Sequence, residues 1–393
     1  MKQYDLIISG GGMVGATLAA ALGQQGMSIA IIEPQLPPLE WPRAEYDIRV
    51  SAITRATENM FEKVGAWQKM VEMRVTPYQH MQVWDEGGSG SIHFDSSDLG
   101  ESNLGHIVEN SVIHKALLNR IDELESIEII TPARISELKQ HDGFVELMLD
   151  NGSRLSAKLL VAADGANSWV RDQVGISTTG WLYDQSAIVA TVRTEKSHQF
   201  TAWQQFMKLG PLAFLPLDQK ELSSIVWSTS PDEADRLSRL DEANFLTELH
   251  MAFGDTLGEM QSVGPRGLFP LQLKHANRYC SERVVLVGNA AHAIHPLAGQ
   301  GLNLGINDVS ELSSQIIEAR NGNGDWGEYA LLRRYERSRK GENVAVMAAM
   351  DGFKRLFSND QPLLKTVRNL GLNIANHAGP LKSHIIRQAM GLK

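Results

Sequence analysis

Gly10-Gly11-Gly12-Met13-Val14-Gly15 places glycines at three spaced positions, 10, 12 and 15, directly after an apolar run. A turn of this kind binds phosphate. Gly10 permits a tight reversal, Gly12 lets backbone N–H groups approach a pyrophosphate, and Gly15 lets the next helix pack closely on the strand. Met13 and Val14 complete the turn and open that helix, whose N-terminal end faces the phosphate charge. Glu33 closes the following apolar run, about 20 residues on, where a carboxylate accepts from ribose hydroxyls. An acid there fits an adenosine with a free 2′-hydroxyl, as in FAD or NAD, rather than NADP.

Two further segments carry chemistry. LVAADGANSWVR, residues 160–171, is an apolar strand running into Asp164-Gly165, followed by Arg171. Taken alone it is equally an ordinary strand–helix turn. VVLVGNAAHAIHPLAGQGLNLG, residues 284–305, repeats the strand, small-residue turn and helix of the N-terminus some 270 residues later. His292 and His295 lie in it, each as well suited to a structural imidazole as to a proton relay. His295 and the adjacent Pro296 are the candidates for a catalytic contribution, without a clear general base. No metal is called for.

The elements that must position these residues follow from apolar periodicity. Strands are expected at residues 4–9, 28–33, 127–135, 144–149 and 155–162, with helices at 12–25, 54–69 and 111–124. Residues 187–193, 213–217 and 223–228 read as strands of a β-rich insertion, and helical periodicity returns at 232–253. A strand, turn and helix follow at 284–312, and the remainder reads as helical.

Composition bounds the function. The chain has 393 residues, 43% hydrophobic and 21% charged, with a net charge of −9 and one cysteine. Its length favours two domains or one large composite. The negative charge argues against nucleic acid as a partner. A single cysteine excludes an internal disulfide and fits a reducing cytoplasm; Cys280 itself reads as a small core residue. The apolar run at 4–9 is too short for a signal sequence, and no run is long enough to span a membrane. Residues 351–393 hold seven Lys/Arg against two Asp/Glu, a local +5 interleaved with large apolar residues. That pattern suits helices with basic outer faces, or an amphipathic surface that meets anionic lipid or a partner.

In this order and spacing, the three motifs resemble the group A flavoprotein monooxygenases, the FAD-dependent aromatic hydroxylases of the para-hydroxybenzoate hydroxylase type. The resemblance covers essentially the whole chain. It implies a mixed α/β (α+β) fold: a Rossmann-like FAD-binding domain with an inserted β-sheet substrate domain and a helical C-terminal region. The FAD-binding domain would take residues 1–75, 101–180 and 276–345, the substrate domain 76–100 and 181–275, and the helical region 346–393. The N-terminal turn would hold the ADP half of FAD. The second turn, from Gly288 and Asn289 onward, would pass along the ribitol, with Pro296 near the ring edge. The helix start, Gly299, Gln300, Gly301, Leu302 and Asn303, would face the flavin pyrimidine, where backbone N–H groups stabilise charge on the reduced ring. Asp164 and Gly165 complete the cradle. Asn289 departs from the family pattern, which has aspartate there; asparagine keeps the hydrogen bond but not the charge. Arg49 matches a family arginine near the active-site entrance, and Asn110 stands where the family has a polar flavin contact.

LGHIVENS (104–111), GPLAFLPL (210–217), RRYERSR (333–339) and IIRQAMGL (385–392) resemble the ubiquinone-biosynthesis hydroxylases within this family. The likeness is strongest to the bacterial 2-polyprenylphenol hydroxylases acting at ring position C5, although those acting at C1 and C6 share most of these motifs. It implies NAD(P)H as a transient co-substrate, O₂, and a polyprenylphenol-type lipid substrate bound in an apolar cavity lined by residues 213–217. It also implies a cytoplasmic enzyme that meets the inner membrane peripherally or joins a ubiquinone-biosynthesis complex. The rivals are a same-fold flavin reductase of prenyl lipids and a non-catalytic FAD-binding subunit.

Overall fold

The structure is a computed structural model describing residues 1–86, 90–293 and 300–357. Lys2–Ser9 is a strand, Met13–Gly23 a helix and Ile29–Ile32 the next strand, paired parallel to the first with Leu6 opposite Ile29. On its other side the first strand pairs parallel with Arg154–Ala162, and that strand pairs parallel with Val284–Leu286. Ile127–Ile130 lies parallel beyond Ile29–Ile32. The hairpin Ile135–His141 and Phe144–Leu149 joins Arg154–Ala162 antiparallel, and Cys280–Ser281 joins Val284–Leu286 antiparallel, completing an eight-stranded sheet. The central strands are apolar on both faces: Leu6, Ile7, Ile8, Ile29, Ala30, Ile31 and Leu159 to Ala162 are all fully buried. Continuous apolar runs are what a parallel sheet covered on both sides requires.

A second, nine-stranded sheet runs in the order His292–Ala293, Gly267–Ala276, Thr178–Thr194, Leu222–Thr229, Gly210–Pro216, Thr201–Met207, His80–Asp85 and Ser91–Asp95, with Met260–Val263 also on Thr178–Thr194. Alternation along each strand divides its faces. Ile188, Leu212, Phe214 and Ile225 pack under the helices Pro231–Arg239 and Glu242–Phe253 through Leu237, Phe245 and Leu249. On the opposite face Ala187 and Val189 meet Leu271, Leu273 and Met347 of the long helix Tyr329–Phe357. A three-stranded sheet has Val50–Ile53 and Thr76–Tyr78 flanking Gly105–Glu109, with the hairpin His80–Asp85 and Ser91–Asp95 of the nine-stranded sheet inserted in sequence between the last two.

The helix expected at 54–69 is two, Arg55–Lys63 and Trp67–Met73, broken where Gly65 adopts φ +79°. That expected at 232–253 is also two, because Asp241 starts a new helix by accepting from Asn244 N–H. The strand expected at 127–135 stops at Ile130, ahead of Pro132, and a new strand starts at Ile135. Cys280 is buried as expected, its thiol pushed up to about 12 by burial and then by Glu336. Residues 358–393, which hold most of the basic C-terminal segment, lie outside the described residues.

Candidate functional site

The first glycine turn separates the roles of its glycines. Gly10 has φ +103°, and a Cβ there would lie 2.4 Å from the Ala163 carbonyl oxygen of the neighbouring strand's end. A Cβ on Gly15 would lie 2.1 Å from the Gly10 carbonyl oxygen. Gly12 differs: its backbone is extended, at φ −64° and ψ 176°, and a Cβ there would meet nothing within 4 Å. No described neighbour requires a glycine at 12, so its bareness fits a group that approaches from outside the chain.

The peptide of Gly11 is gripped at both ends. Its N–H donates to Glu33 Oε2 at 2.7 Å, while Glu33 Oε1 accepts from Gln35 N–H at 3.0 Å. Its carbonyl lies 2.7 Å from His114 Nε2. A carbonyl only accepts, so Nε2 carries the proton. Burial holds the His114 imidazole below its usual value, against the pull of the Gly11 carbonyl and Glu33.

His114 lies one turn into the helix Asn110–Asp122. At the start of this helix, Asp47 Oδ2 accepts from Ser111 N–H at 3.0 Å and the Arg49 carbonyl accepts from Asn110 N–H at 3.0 Å. The Asn110 side-chain oxygen accepts from the Ser51 hydroxyl at 2.8 Å. Arg49 and Asn110 are thus neighbours, with the Arg49 side chain exposed. The segment is anchored from beneath by the buried pair Arg74 and Glu109, with Arg74 also donating to the carbonyls of Arg43 and Glu45. Burial raises the Glu109 carboxyl even though Arg74 opposes it.

Asp164 Oδ2 accepts from Val170 N–H at 3.1 Å, whereas its Oδ1 is buried with no hydrogen-bond partner among the described residues. Burial raises its carboxyl above the usual range. Gly165 beside it takes φ +84°. Arg171, only 2% exposed, ties this turn to the second one: its Nη1 donates to the carbonyls of Ala166 at 3.1 Å and Ala290 at 3.2 Å. Lys274 Nζ donates to the same Ala166 oxygen at 3.0 Å.

The second turn, Gly288–Ala290, stands on a buried carboxylate. Asp308 accepts from Gly288 N–H at 3.1 Å, His292 Nε2 at 2.5 Å, Arg339 Nε at 2.9 Å and Asn343 Nδ2 at 3.2 Å. Burial alone would raise this carboxyl, but His292 and Arg339 outweigh it and hold it below the ordinary range. His292 is therefore a positioning residue of the turn. Asn289 between these anchors is exposed.

Val14 joins the two turns. A Cβ on Gly288 would come within 3.2 Å of Val14 Cγ1, and one on Gly305 within 2.7 Å of Val14 Cγ2. At the start of the helix Gln300–Asn321, a Cβ on Gly301 would meet nothing within 4 Å among the described residues, and Leu302 is buried. The Asn303 amide donates to the Ala52 carbonyl at 2.8 Å and accepts from Thr54 N–H at 3.1 Å and the Thr57 hydroxyl at 2.7 Å. The side chains of Val14, Leu302 and Asn303 thus serve protein contacts, and only their backbone is left to offer a cofactor. Met13 packs against the main core, with its carbonyl accepting from the Thr17 hydroxyl. His295, Pro296 and Gly299 lie outside the described residues.

His114, the Asp308 carboxylate and the bridging role of Arg171 carry no local motif. Asp308 alone has a sequence signal: it falls four residues after Leu304 and four before Leu312, on the buried face of its helix. The set fits an extended dinucleotide: backbone at Gly12 and Gly301 that meets no described neighbour, and a carboxylate at Glu33 beside the first turn.

The sequence matches the FAD binding domain family over residues 3–349. It is 38% identical over 391 residues to the 3-demethoxyubiquinol 3-hydroxylase of Escherichia coli K12, covering 100% of this chain and 99% of that one. It is 38% identical over 390 residues to the ubiquinone hydroxylase UbiL of Rhodospirillum rubrum, covering 99% and 90%. In fold it is similar to p-nitrophenol 4-monooxygenase PnpA from Pseudomonas putida DLL-E4, with TM-score 0.79, 20% identity and coverage of 99% and 97%. The chain belongs to the FAD-binding ubiquinone-biosynthesis hydroxylases and is an FAD-dependent aromatic monooxygenase.

Proposed function

We propose that this enzyme hydroxylates the aromatic ring of a polyprenylphenol intermediate of ubiquinone biosynthesis at C5, with NAD(P)H as reductant and O₂ as oxidant. The observation that carries the reading is the strand Val50–Ile53. Asn303 ties it to the helix Gln300–Asn321, and its Val50 and Ala52 pack with Leu215, Leu217 and Ile107. Leu215 and Ala213 lie on the face of Gly210–Pro216 opposite the buried Phe214. A cofactor-side helix start and an apolar sheet face therefore share one strand, which suits a ring with few polar groups and an apolar tail.

In this reading the two turns serve opposite ends of one FAD. Bound FAD supplies hydride acceptance and oxygen activation, which side chains cannot. The chain's own work is positioning. Glu33 and His114 fix the Gly11 peptide for the adenosine half, and Asp308 fixes Gly288. Val50, Ala52, Ala213 and Leu215 keep water from the reacting ring carbon. Peripheral contact with anionic lipid through residues 351–393 would bring the substrate within reach. Reversing the charges of Lys365 and Arg368 should then abolish co-sedimentation with anionic vesicles; unchanged sedimentation refutes that contact.

The name of the E. coli relative supports a second reading, hydroxylation of a demethoxyubiquinol. Mass spectrometry of quinone intermediates in cells lacking this protein separates the two. Accumulated 2-polyprenylphenol supports C5, accumulated demethoxyubiquinol supports the second reading, and undisturbed ubiquinone refutes both.

A further inference from the structure

His80, His93 and Asp95 come together at the edge of the nine-stranded sheet, far in sequence from every cofactor motif. They sit on the hairpin formed by His80–Asp85 and Ser91–Asp95, where His80 is paired across the strands with Asp95 and Gln82 with His93. One ligand atom from each of the three lies within 4.8 Å of the other two. Asp95 Oδ2 is 3.1 Å from His80 Nδ1 and 4.0 Å from His93 Nε2. Around a tetrahedral ion with bonds of about 2.0–2.2 Å, neighbouring ligand atoms stand about 3.4 Å apart. Small side-chain rotations reach that spacing.

We propose that His80, His93 and Asp95 form a binding site for a divalent transition-metal ion of the zinc class. The groups around the three match the way metal ligands are held. His93 Nδ1 lies 3.0 Å from Gln82 Oε1, an acceptor only, so Nδ1 carries the proton and Nε2 is the ring nitrogen on the side of Asp95. Asp95 Oδ1 is occupied by the Ser97 backbone N–H at 2.8 Å and the Ser97 hydroxyl at 2.6 Å, which orients Oδ2 toward the histidines. His80 Nδ1 is buried and faces Asp95 Oδ2 at 3.1 Å without hydrogen-bond alignment, so a metal ion shared by the two would satisfy it better.

Two imidazoles and one carboxylate favour Zn²⁺, Ni²⁺ or Cu²⁺ over Mg²⁺ and Ca²⁺, which take oxygen ligands. The side chains are 32%, 45% and 28% exposed for His80, His93 and Asp95, so the remaining coordination position faces solvent and takes water. The ion would join both strands of the hairpin to the turn Ser96–Leu99 and secure a sheet edge.

The test uses full-length, untagged, FAD-loaded protein, stripped with chelator and titrated with Zn²⁺ by calorimetry, with Mg²⁺ as control. The expected result is about one Zn²⁺ per chain, a zinc-dependent rise in Tm and no response to Mg²⁺. His93→Ala and Asp95→Asn should each weaken binding at least about tenfold, and Gln82→Ala by about tenfold. Asn at 95 still accepts from Ser97, and His93 is exposed, so flavin content and the zinc-free Tm should be unchanged. No saturable zinc binding, or equal binding by the wild type and both ligand variants, overturns the proposal.

Discussion

Gly12 and Gly15 stand in one turn yet should fail in opposite ways when each gains a methyl group. A Cβ on Gly15 would lie 2.1 Å from the Gly10 carbonyl oxygen, against an ordinary contact of 3.4–4 Å. Backbone must move by more than an ångström in a region packed on the fully buried Ile8 and Ala16. Overpacking of that kind costs about 1–3 kcal/mol or more. The same methyl on Gly12 meets nothing within 4 Å, and its extended backbone suits any residue. Its cost to the cofactor-free fold should stay within about 0.5 kcal/mol. With FAD the order reverses. Ligand at about 100 times its Kd stabilises the folded wild type by about 2.7 kcal/mol. A methyl in the pyrophosphate approach should weaken FAD at least about 100-fold, leaving only about 0.4 kcal/mol of that gain. Scanning fluorimetry of Gly12→Ala and Gly15→Ala, with and without FAD, reads both effects. Gly12→Ala should match the wild-type Tm without FAD and gain little from adding it, while Gly15→Ala should melt several degrees lower without FAD. If Gly12→Ala retains the full FAD-induced shift, or loses as much stability as Gly15→Ala without cofactor, the division of roles is wrong.

Other substitutions probe the second turn and its support. Asn289→Asp should slow FAD release about fivefold, because a charge-assisted bond is worth about 1 kcal/mol more than a neutral one; faster or unchanged release puts residue 289 away from the ribitol. Asp308→Asn removes the buried carboxylate that faces both Arg339 and His292, leaving Arg339 only the solvent-facing Glu342 as an ion-pair partner among the described residues, and should lower stability by about 3 kcal/mol in chemical denaturation; a loss below 1 kcal/mol contradicts the anchoring role. His275 is pushed down to about 4 by burial, then by Lys340 and His292. Between pH 6.5 and 4 the unfolded chain therefore takes up a proton that the folded one does not. Stability is complete above pH 6.5 and falls by up to about 3 kcal/mol as pH drops to 4. His275→Gln should flatten that acid limb in denaturation curves, and parallel pH profiles for the two proteins would contradict the assignment.

The first glycine turn was legible in the sequence because Gly10 and Gly15 answer local demands, a positive φ and a close approach, at fixed spacing from Gly12. The parallel strands were legible because burial on both faces leaves unbroken apolar runs. Contacts between distant residues left no such trace. His114 reaches Gly11 across 103 positions and Arg171 reaches Ala290 across 119, so neither pairing shows in any window of sequence. The strands Val50–Ile53, Thr76–Tyr78 and Gly105–Glu109 run only four, three and five residues, too short for alternation to declare itself. Single residues decided the broken helices: Gly65 by its left-handed φ, and Asp241 by capping a new start.

Transfer of one atom of O₂ into a prenylated phenol, the reaction we propose for this chain, can be followed with isotope. Purified FAD-loaded protein should be supplied with NAD(P)H, a 2-polyprenylphenol in detergent and ¹⁸O₂, and the product ring analysed by mass spectrometry. One oxygen atom enters the ring and the other leaves as water, while NAD(P)H is oxidised to NAD(P)⁺. The account predicts a single ¹⁸O in the new ring hydroxyl, with NAD(P)H oxidation stimulated by the phenol. A reduced prenyl chain, a new ring hydroxyl without ¹⁸O, or no turnover of any ubiquinone precursor with FAD bound would contradict it.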